Sequence, residues 1–383
     1  MELLSGAFNG IATGSVLLLA ALGLTIVFGL MGVINMAHGE LMMLGAYTTF
    51  VVQNVFKGLG QPWQESYVFF ALLAAFFVTA LFGLVLERSV IRFLYGRPLE
   101  TLLATWGVSL ILQQFVRSVN WVLVIGIVLF LVLFGGAIFL AQKLRRLVPS
   151  WARAVLFCLS LAISLVTGAF LSQRFGLAVN KPWFGAQNVD VTAPAWLRSG
   201  LRVSENLQLP YTRIFIIVLT VLCLAGMWLF LQKSPWGLRI RAVTQNRSMS
   251  ACLGINTDRV DALTFAIGSG LAGIAGCAVS FLGSVGPNTG QNYIVDTFMV
   301  VVVGGVGNLW GSVVAALAIG TINYLLGSGT IANLVKSIPG VFEFFSFFAT
   351  TSMAKVMLFA LIVAFLQYRP AGLFPQKGRT VET

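Results

Sequence analysis

The feature that most constrains this chain is a succession of about eleven long apolar runs, most of them close to the ~20 residues that cross a hydrocarbon layer. They fall at about 7–30, 41–56, 66–86, 99–118, 120–140, 154–173, 211–231, 261–283, 293–308, 311–327 and 353–368. One soluble core cannot use so much apolar surface. Of the 383 residues 58% are hydrophobic and 9% charged, where a soluble domain carries about 25% charged residues. A soluble enzyme is excluded, and the expected fold class is all-α, a polytopic integral membrane helix bundle forming one transmembrane domain over residues 1–383.

Lys and Arg number 24 against 12 acids, but they sit in short loops rather than on one stripe. They read as topology signals and not as a nucleic-acid surface. Cys158, Cys223, Cys252 and Cys277 have no CxxC spacing, so neither a disulfide framework nor a metal site is expected. The chain opens with Glu2 rather than a basic segment, and the first run is expected to be a retained span.

Four stretches collect most of the cations: Arg88, Arg92 and Arg97; Lys143, Arg145, Arg146 and Arg153; Lys233, Arg239, Arg241, Arg247 and Arg259; and Arg369, Lys377 and Arg379. With eleven crossings all four fall on one side, which the positive-inside rule makes cytoplasmic. The N-terminus is then periplasmic and the C-terminus cytoplasmic. Residues 174–210, with Lys181, Pro182, Asn188, Asp190, Pro194, Arg198, Glu205 and Pro210, are too polar and Pro-broken to cross, so they form an outer loop. Residues 338–350, with five phenylalanines around Glu343, read as an outer interfacial segment. A full span there would put Glu343 and Lys355 at membrane depth, at roughly 2.5–3.5 kcal/mol each.

Two apolar stretches are interrupted. Phe28 to Glu40 carries Gly29, Gly32 and Gly39, then Asn35, the only histidine, His38, and Glu40; Val303 to Gly311 carries Gly304, Gly305, Gly307 and Asn308. Paired glycine-broken segments point to a substrate path, because unwound backbone survives at membrane depth only where it lines a cavity or is buried in protein. Plainer readings stand beside this one: close helix packing for the glycines, interhelical hydrogen bonds for Asn35 and His38, and an interfacial cap for Glu40. Asp296 reads as a charge at the N-terminal end of its helix.

Residues 232–260 form the largest basic-side loop. Ser234-Pro235 starts a short helix. Ser250, Ala251 and Gly254 fall at helical spacing from Arg247, giving a small-residue face with a basic edge that includes Arg241, suited to a groove of another protein.

Met31-Gly-Val-Ile-Asn-Met-Ala-His-Gly-Glu40, Arg241-Ala-Val-Thr-Gln-Asn-Arg247 through Leu253-Gly-Ile-Asn-Thr-Asp-Arg-Val260, Val302-Val-Gly-Gly-Val-Gly307 and Arg369-Pro-Ala-Gly-Leu-Phe374 resemble the permease subunit of branched-chain-amino-acid-type ABC importers. Within that family, Phe184 to Trp196 and Thr244-Gln-Asn-Arg247 look like the urea-type permease. Residues 121–175, two apolar runs around a basic turn, depart from the family pattern as an inserted helical hairpin, expected at the periphery. The full acidic-Ala-Ala start of the importer coupling motif is absent from the loop.

The resemblance implies a non-catalytic subunit of an ATP-driven urea importer of the bacterial inner membrane, working with a second homologous permease subunit, two ATPase subunits and a periplasmic substrate-binding protein in the lipid bilayer. It implies that the 232–260 loop couples to the ATPases and that the broken segments alternate access. No GxxxxGK[ST] loop occurs, so ATP and Mg belong to partners and the chain itself is expected to bind no cofactor. The alternatives are the same machine carrying branched-chain or other amino acids, and an autonomous urea channel or secondary transporter. Urea needs hydrogen-bond partners and no counter-charge. Neither broken segment holds the Lys or Arg that would match an amino-acid carboxylate, although a helix N-terminus can do so without one.

Overall fold

The computed structural model describes residues 2–58, 60–143, 149–176, 180–185, 187–204, 207–334, 336 and 339–374. Arg145, Arg146, Glu205, Lys377 and Arg379, used above in the charge and loop arguments, lie outside them. Helices dominate: α1 (Glu2–Met31), α2 (His38–Lys57), α3 (Gln61–Ser89), α4 (Pro98–Ser118), α5 (Trp121–Lys143), α6 (Ser150–Phe175), α7 (Tyr211–Lys233), α8 (Pro235–Gln245), α9 (Arg247–Cys252), α10 (Thr257–Ser280), α11 (Thr289–Gly304), α12 (Leu309–Gly327), α13 (Pro339–Phe347) and α14 (Thr351–Tyr368). The only sheet among the described residues is an antiparallel hairpin, Gly200–Ser204 with Leu207–Pro210, in the outer loop. Each expected apolar run falls largely on a helix, but among the described residues 8 helices, or 9 if α13 and α14 count as one bent span, are long and apolar enough to cross a membrane, fewer than the eleven runs. Of the 338–350 segment, Pro339–Phe347 forms α13, bent by 103° from α14.

Contacts divide the chain into two compact units, residues 1–110 with 189–383, and residues 111–188. In the first, α1 is wrapped by α7, α10, α11 and α12. Its inner turns are fully buried, with Leu19, Ala20, Ala21, Leu22 and Leu24 all at 0% exposure. No hydrophobic force drives helices together in lipid, so close backbone approach over small residues has to do so. Gly6, Gly10 and Gly14 supply it at four-residue spacing on one face of α1, against Leu325, Thr321 and Ala316 of α12. A Cβ on Gly10 would lie 2.8 Å from the Thr321 Cα. On α10, Gly273 and Gly276 similarly admit α3 and α2, and a Cβ on Gly276 would lie 1.9 Å from the Met42 carbonyl oxygen.

In the second unit α5 and α6 pair as a hairpin. Ser164 donates to the Gly126 carbonyl (2.6 Å), and Phe157 meets the stacked Phe130 and Phe134 rings edge-on, with centroids 5.4–5.6 Å apart. None of the apolar window of α5 is buried, as expected of a surface that meets lipid tails.

Candidate functional site

Both glycine-broken stretches are breaks in the structure. The first helix stops at Met31 because Gly32 takes φ +68°, the left-handed conformation that ends helices, and its N–H bonds the Phe28 carbonyl at 3.0 Å. Residues 32–37 then run irregularly back along α1. His38, the first residue of α2, places Nε2 3.0 Å from the carbonyl oxygen of Ala20, a third of the way back up α1. Gly39 in turn packs on Gly290, at the start of α11: a Cβ on Gly39 would lie 2.3 Å from the Gly290 oxygen. Both α2 and α11 therefore begin partway along α1 with their N-termini adjacent. Each is preceded by an irregular segment, residues 32–37 before α2 and residues 281–288 before α11. The second of these segments was not singled out from the sequence, although Gly283, Gly286 and Pro287 are its signal.

Asn35, His38 and Glu40 are brought together at this junction, with exposures of 0%, 0% and 1%. The Asn35 Oδ1 accepts from the Ala37 N–H (3.0 Å), while its Nδ2 has no hydrogen-bond partner. The Thr105 hydroxyl accepts from the Met36 N–H at 3.1 Å and so pins the irregular turn. Ser109 donates to Glu40 Oε1 at 3.1 Å, and a Cβ on Gly290 would lie 2.7 Å from Glu40 Oε2. The carboxylate thus sits against the first turns of two helices, where the backbone dipoles favour an anion. Glu40 is buried rather than exposed at an interface, while its place in the first turn of α2 agrees with the helix-end part of the plainer reading.

The second stretch lies at the C-terminal end of α1. A Cβ on Gly29 would stand 2.2 Å from the Gly307 Cα, so the two broken segments touch, and the hydroxyls of Thr25 and Ser312 are 2.9 Å apart. Gly304 meets Gly311 backbone to backbone, while Gly305 (φ +100°) and Gly307 (φ +85°) turn the chain out of α11. Asn308 caps α12, its Oδ1 accepting from the N–H groups of Trp310 and Gly311. The C-terminal carbonyls of α11 are closed by the Arg369–Phe374 ending: Leu373 N–H donates to Val303 O (2.8 Å) and Phe374 N–H to Gly304 O (3.3 Å). Sequence reading used that ending only as family wording and missed this latch.

Asp296 corrects the sequence reading. It lies midway along α11, is buried, and pairs with Lys355 Nζ at 2.8 Å. The helix simply begins earlier, at Thr289, than the apolar run suggests.

In the basic loop, Ser234 caps α8, Asn246 caps α9 and Asn256 caps α10. The Arg247 guanidinium is drawn inward, 2.8 Å from Asp261, 3.7 Å from Asp258 and 4.8 Å from the Tyr95 ring centroid. Burial, reinforced by the Asp261 carboxylate, pushes the Tyr95 phenol well above its ordinary pKa. Arg241 is exposed and bonds Gln232 Oε1 at 3.1 Å. Ser250 is buried. Ala251 is exposed, and Gly254 lies beyond the end of α9 with φ +84° and open space where a Cβ would be. Met249 and Leu253 project beside them, 58% and 76% exposed. Among the described residues, no group of three His, Cys, Asp or Glu is placed to hold a metal.

The profile of the family described as branched-chain amino acid transport system / permease component matches residues 6–366. The chain is 26% identical to the high-affinity branched-chain amino acid transport system permease protein BraD of Pseudomonas aeruginosa, over 95% of this chain and 93% of that one. It is 27% identical to LivH of Escherichia coli K12, described in the same terms, over 96% and 93%. A shorter match, 32% identical over 30% of this chain and 39% of the other, is to the ribose import permease protein RbsC of Bacillus subtilis. No solved structure matches.

Proposed function

Because this chain belongs to the branched-chain amino acid transport permease family and is a non-catalytic, multi-pass membrane subunit of that type of ABC importer, we propose that it carries amino acids with neutral side chains inward, driven by ATP hydrolysis in partner subunits. The observation that carries the substrate is the near full-length likeness to BraD and LivH, both described as branched-chain amino acid permeases. The partners of this reading are a second homologous permease subunit, two ATPase subunits and a periplasmic substrate-binding protein, with ATP and Mg used by the ATPases and no cofactor held by this chain. Its N-terminus faces the periplasm and its C-terminus the cytoplasm.

Substrate passes the junction of Asn35, His38 and Glu40, where two helices start side by side and irregular backbone flanks them. The contact of Gly29 with Gly307, flanked by the turns at Gly32, Gly304, Gly305 and Asn308, closes the cytoplasmic end. The ATPases grip the surface offered by Arg241, Ala251, Gly254 and the exposed Met249 and Leu253, while Ser250 and Arg247 fix α9 to the bundle. Closure of the ATPase pair tilts α9 and, through Arg247 and Asp261, moves α10. Urea is the second reading, favoured by the outer-loop wording from Phe184 to Trp196. Uptake of radiolabelled leucine and urea by the reconstituted complex, with and without ATP and binding protein, decides between them. ATP-dependent leucine uptake is expected, and urea uptake without leucine uptake overturns it.

A further inference from the structure

We propose that Asp296 and Lys355 are a zwitterion-binding pair that receives the head of a free α-amino acid, an inference that rests on the amino-acid reading above and names the groups that carry it. The two side chains line one cavity of about 440 Å³, within the roughly 300–1,000 Å³ usual for small-molecule sites. It lies in the N-terminal half of α1, against the ends of α10 and α12 and the starts of α11 and α14. On the proposed orientation it is on the periplasmic side, where a binding protein delivers its load.

An ion pair inside a membrane bundle is costly and is a mark of function before it is a mark of stability, since each charge must be taken out of water. Here the acid is buried, with 8% of its side chain exposed, while the lysine keeps 36% exposed. The lysine is therefore the partly exposed partner, and it lines the cavity. A zwitterion entering between them exchanges one internal ion pair for two: its ammonium takes the Asp296 carboxylate and its carboxylate takes the Lys355 ammonium. Total charge is conserved, and no group is left buried without a counter-ion. Asn292 and Asn323 also line the cavity and can complete the polar contacts, and Leu17 and Val279 give an aliphatic side chain an apolar surface. A neutral amide such as urea cannot separate the pair, because it has no charge to offer either partner. The absence of a cation from both glycine-broken segments spoke against an amino acid, and the fold supplies one from α14.

The test reconstitutes the chain with its ATPase and binding-protein partners in liposomes and compares wild type, Asp296→Asn, Lys355→Met and the double variant. Two readouts are taken: uptake of radiolabelled leucine, and the stimulation of ATP hydrolysis by leucine-loaded binding protein. The expected result is that both single variants and the double variant lose at least tenfold in leucine uptake, while stimulated hydrolysis stays within about twofold of wild type. A pair that only holds α11 to α14 behaves differently: the double variant, which leaves no charge unmatched, then recovers wild-type uptake, and that result overturns the proposal. Loss of stimulated hydrolysis together with uptake in the double variant also overturns it, since the pair is then part of the conformational machinery. If the wild-type complex moves no leucine, the amino-acid reading fails in the wild-type arm, before any variant is compared.

Discussion

At the scale of single residues, the backbone contacts of glycine make demands that hydrophobicity does not reveal. Gly29 has room for no side chain, because a Cβ would stand 2.2 Å from the Gly307 Cα. Overpacking of this kind costs about 1–3 kcal/mol. Gly29→Val is expected to lower the thermal midpoint of the purified complex by several degrees, whereas Gly107→Val, with open space around it, shifts it by a degree or less; equal shifts in a dye-based melt would count against the packing. Glu40 is a different case. Replacing it with Gln keeps an acceptor for Ser109 but removes the charge facing the starts of α2 and α11. Leucine uptake is expected to fall severalfold with the complex still assembled, which size-exclusion chromatography and a flux assay check together. Unchanged flux would remove Glu40 from the path.

At the scale of elements, the helices were legible because membrane helices must satisfy their backbone internally and advertise it with apolar length. The breaks were legible from Gly29, Gly32 and Gly304 to Gly307, since glycine is what permits them. Their partnership was not. The sequence pairs 28–40 with 303–311 by likeness, and those segments do touch at Gly29 and Gly307, but the junction at Gly39 and Glu40 is made with Gly290 and Ile294, which no motif marks as a site. Contacts of this kind depend on which helices are neighbours, and one chain read alone holds no such information. Asp296 was misread for a related reason: α11 starts in the polar stretch Thr289-Gly-Gln-Asn292, ahead of the apolar run, so a mid-helix acid looked terminal. The short helix α9 carries its own prediction. Its Arg247 ties it to Asp261 at the start of α10, with the Tyr95 ring beneath. Arg247→Leu is expected to leave the ATPases bound, since the exposed Met249, Ala251 and Gly254 surface is untouched, yet to cut transport per ATP hydrolysed at least fivefold. Loss of co-purifying ATPase would place Arg247 in the docking surface itself.

At the scale of the whole molecule, residues 111–188 form a compact unit of their own, and the way it is closed argues for its independence. The Asn120 side-chain amide donates to the Asn180 carbonyl at 3.3 Å, and the Trp183 N–H donates to the Val119 carbonyl at 2.9 Å. The two ends of the excursion are thus already side by side, so a chain cut there can be rejoined without spanning a gap. The helices between them satisfy one another, through Ser164 with Gly126 and the Phe130, Phe134 and Phe157 rings, and none of the apolar window of α5 is buried. Removing a hairpin of two crossings also preserves the side on which every later loop emerges, so the basic loop at 232–260 keeps its place. Deletion of residues 121–175 is therefore expected to leave the protein inserted and assembled with its ATPase partners, and to retain leucine uptake within about tenfold of the full chain. Vesicle uptake after confirming insertion by protease accessibility checks this. A shortened chain that inserts and assembles but moves no leucine would show that the hairpin takes part in the transport cycle.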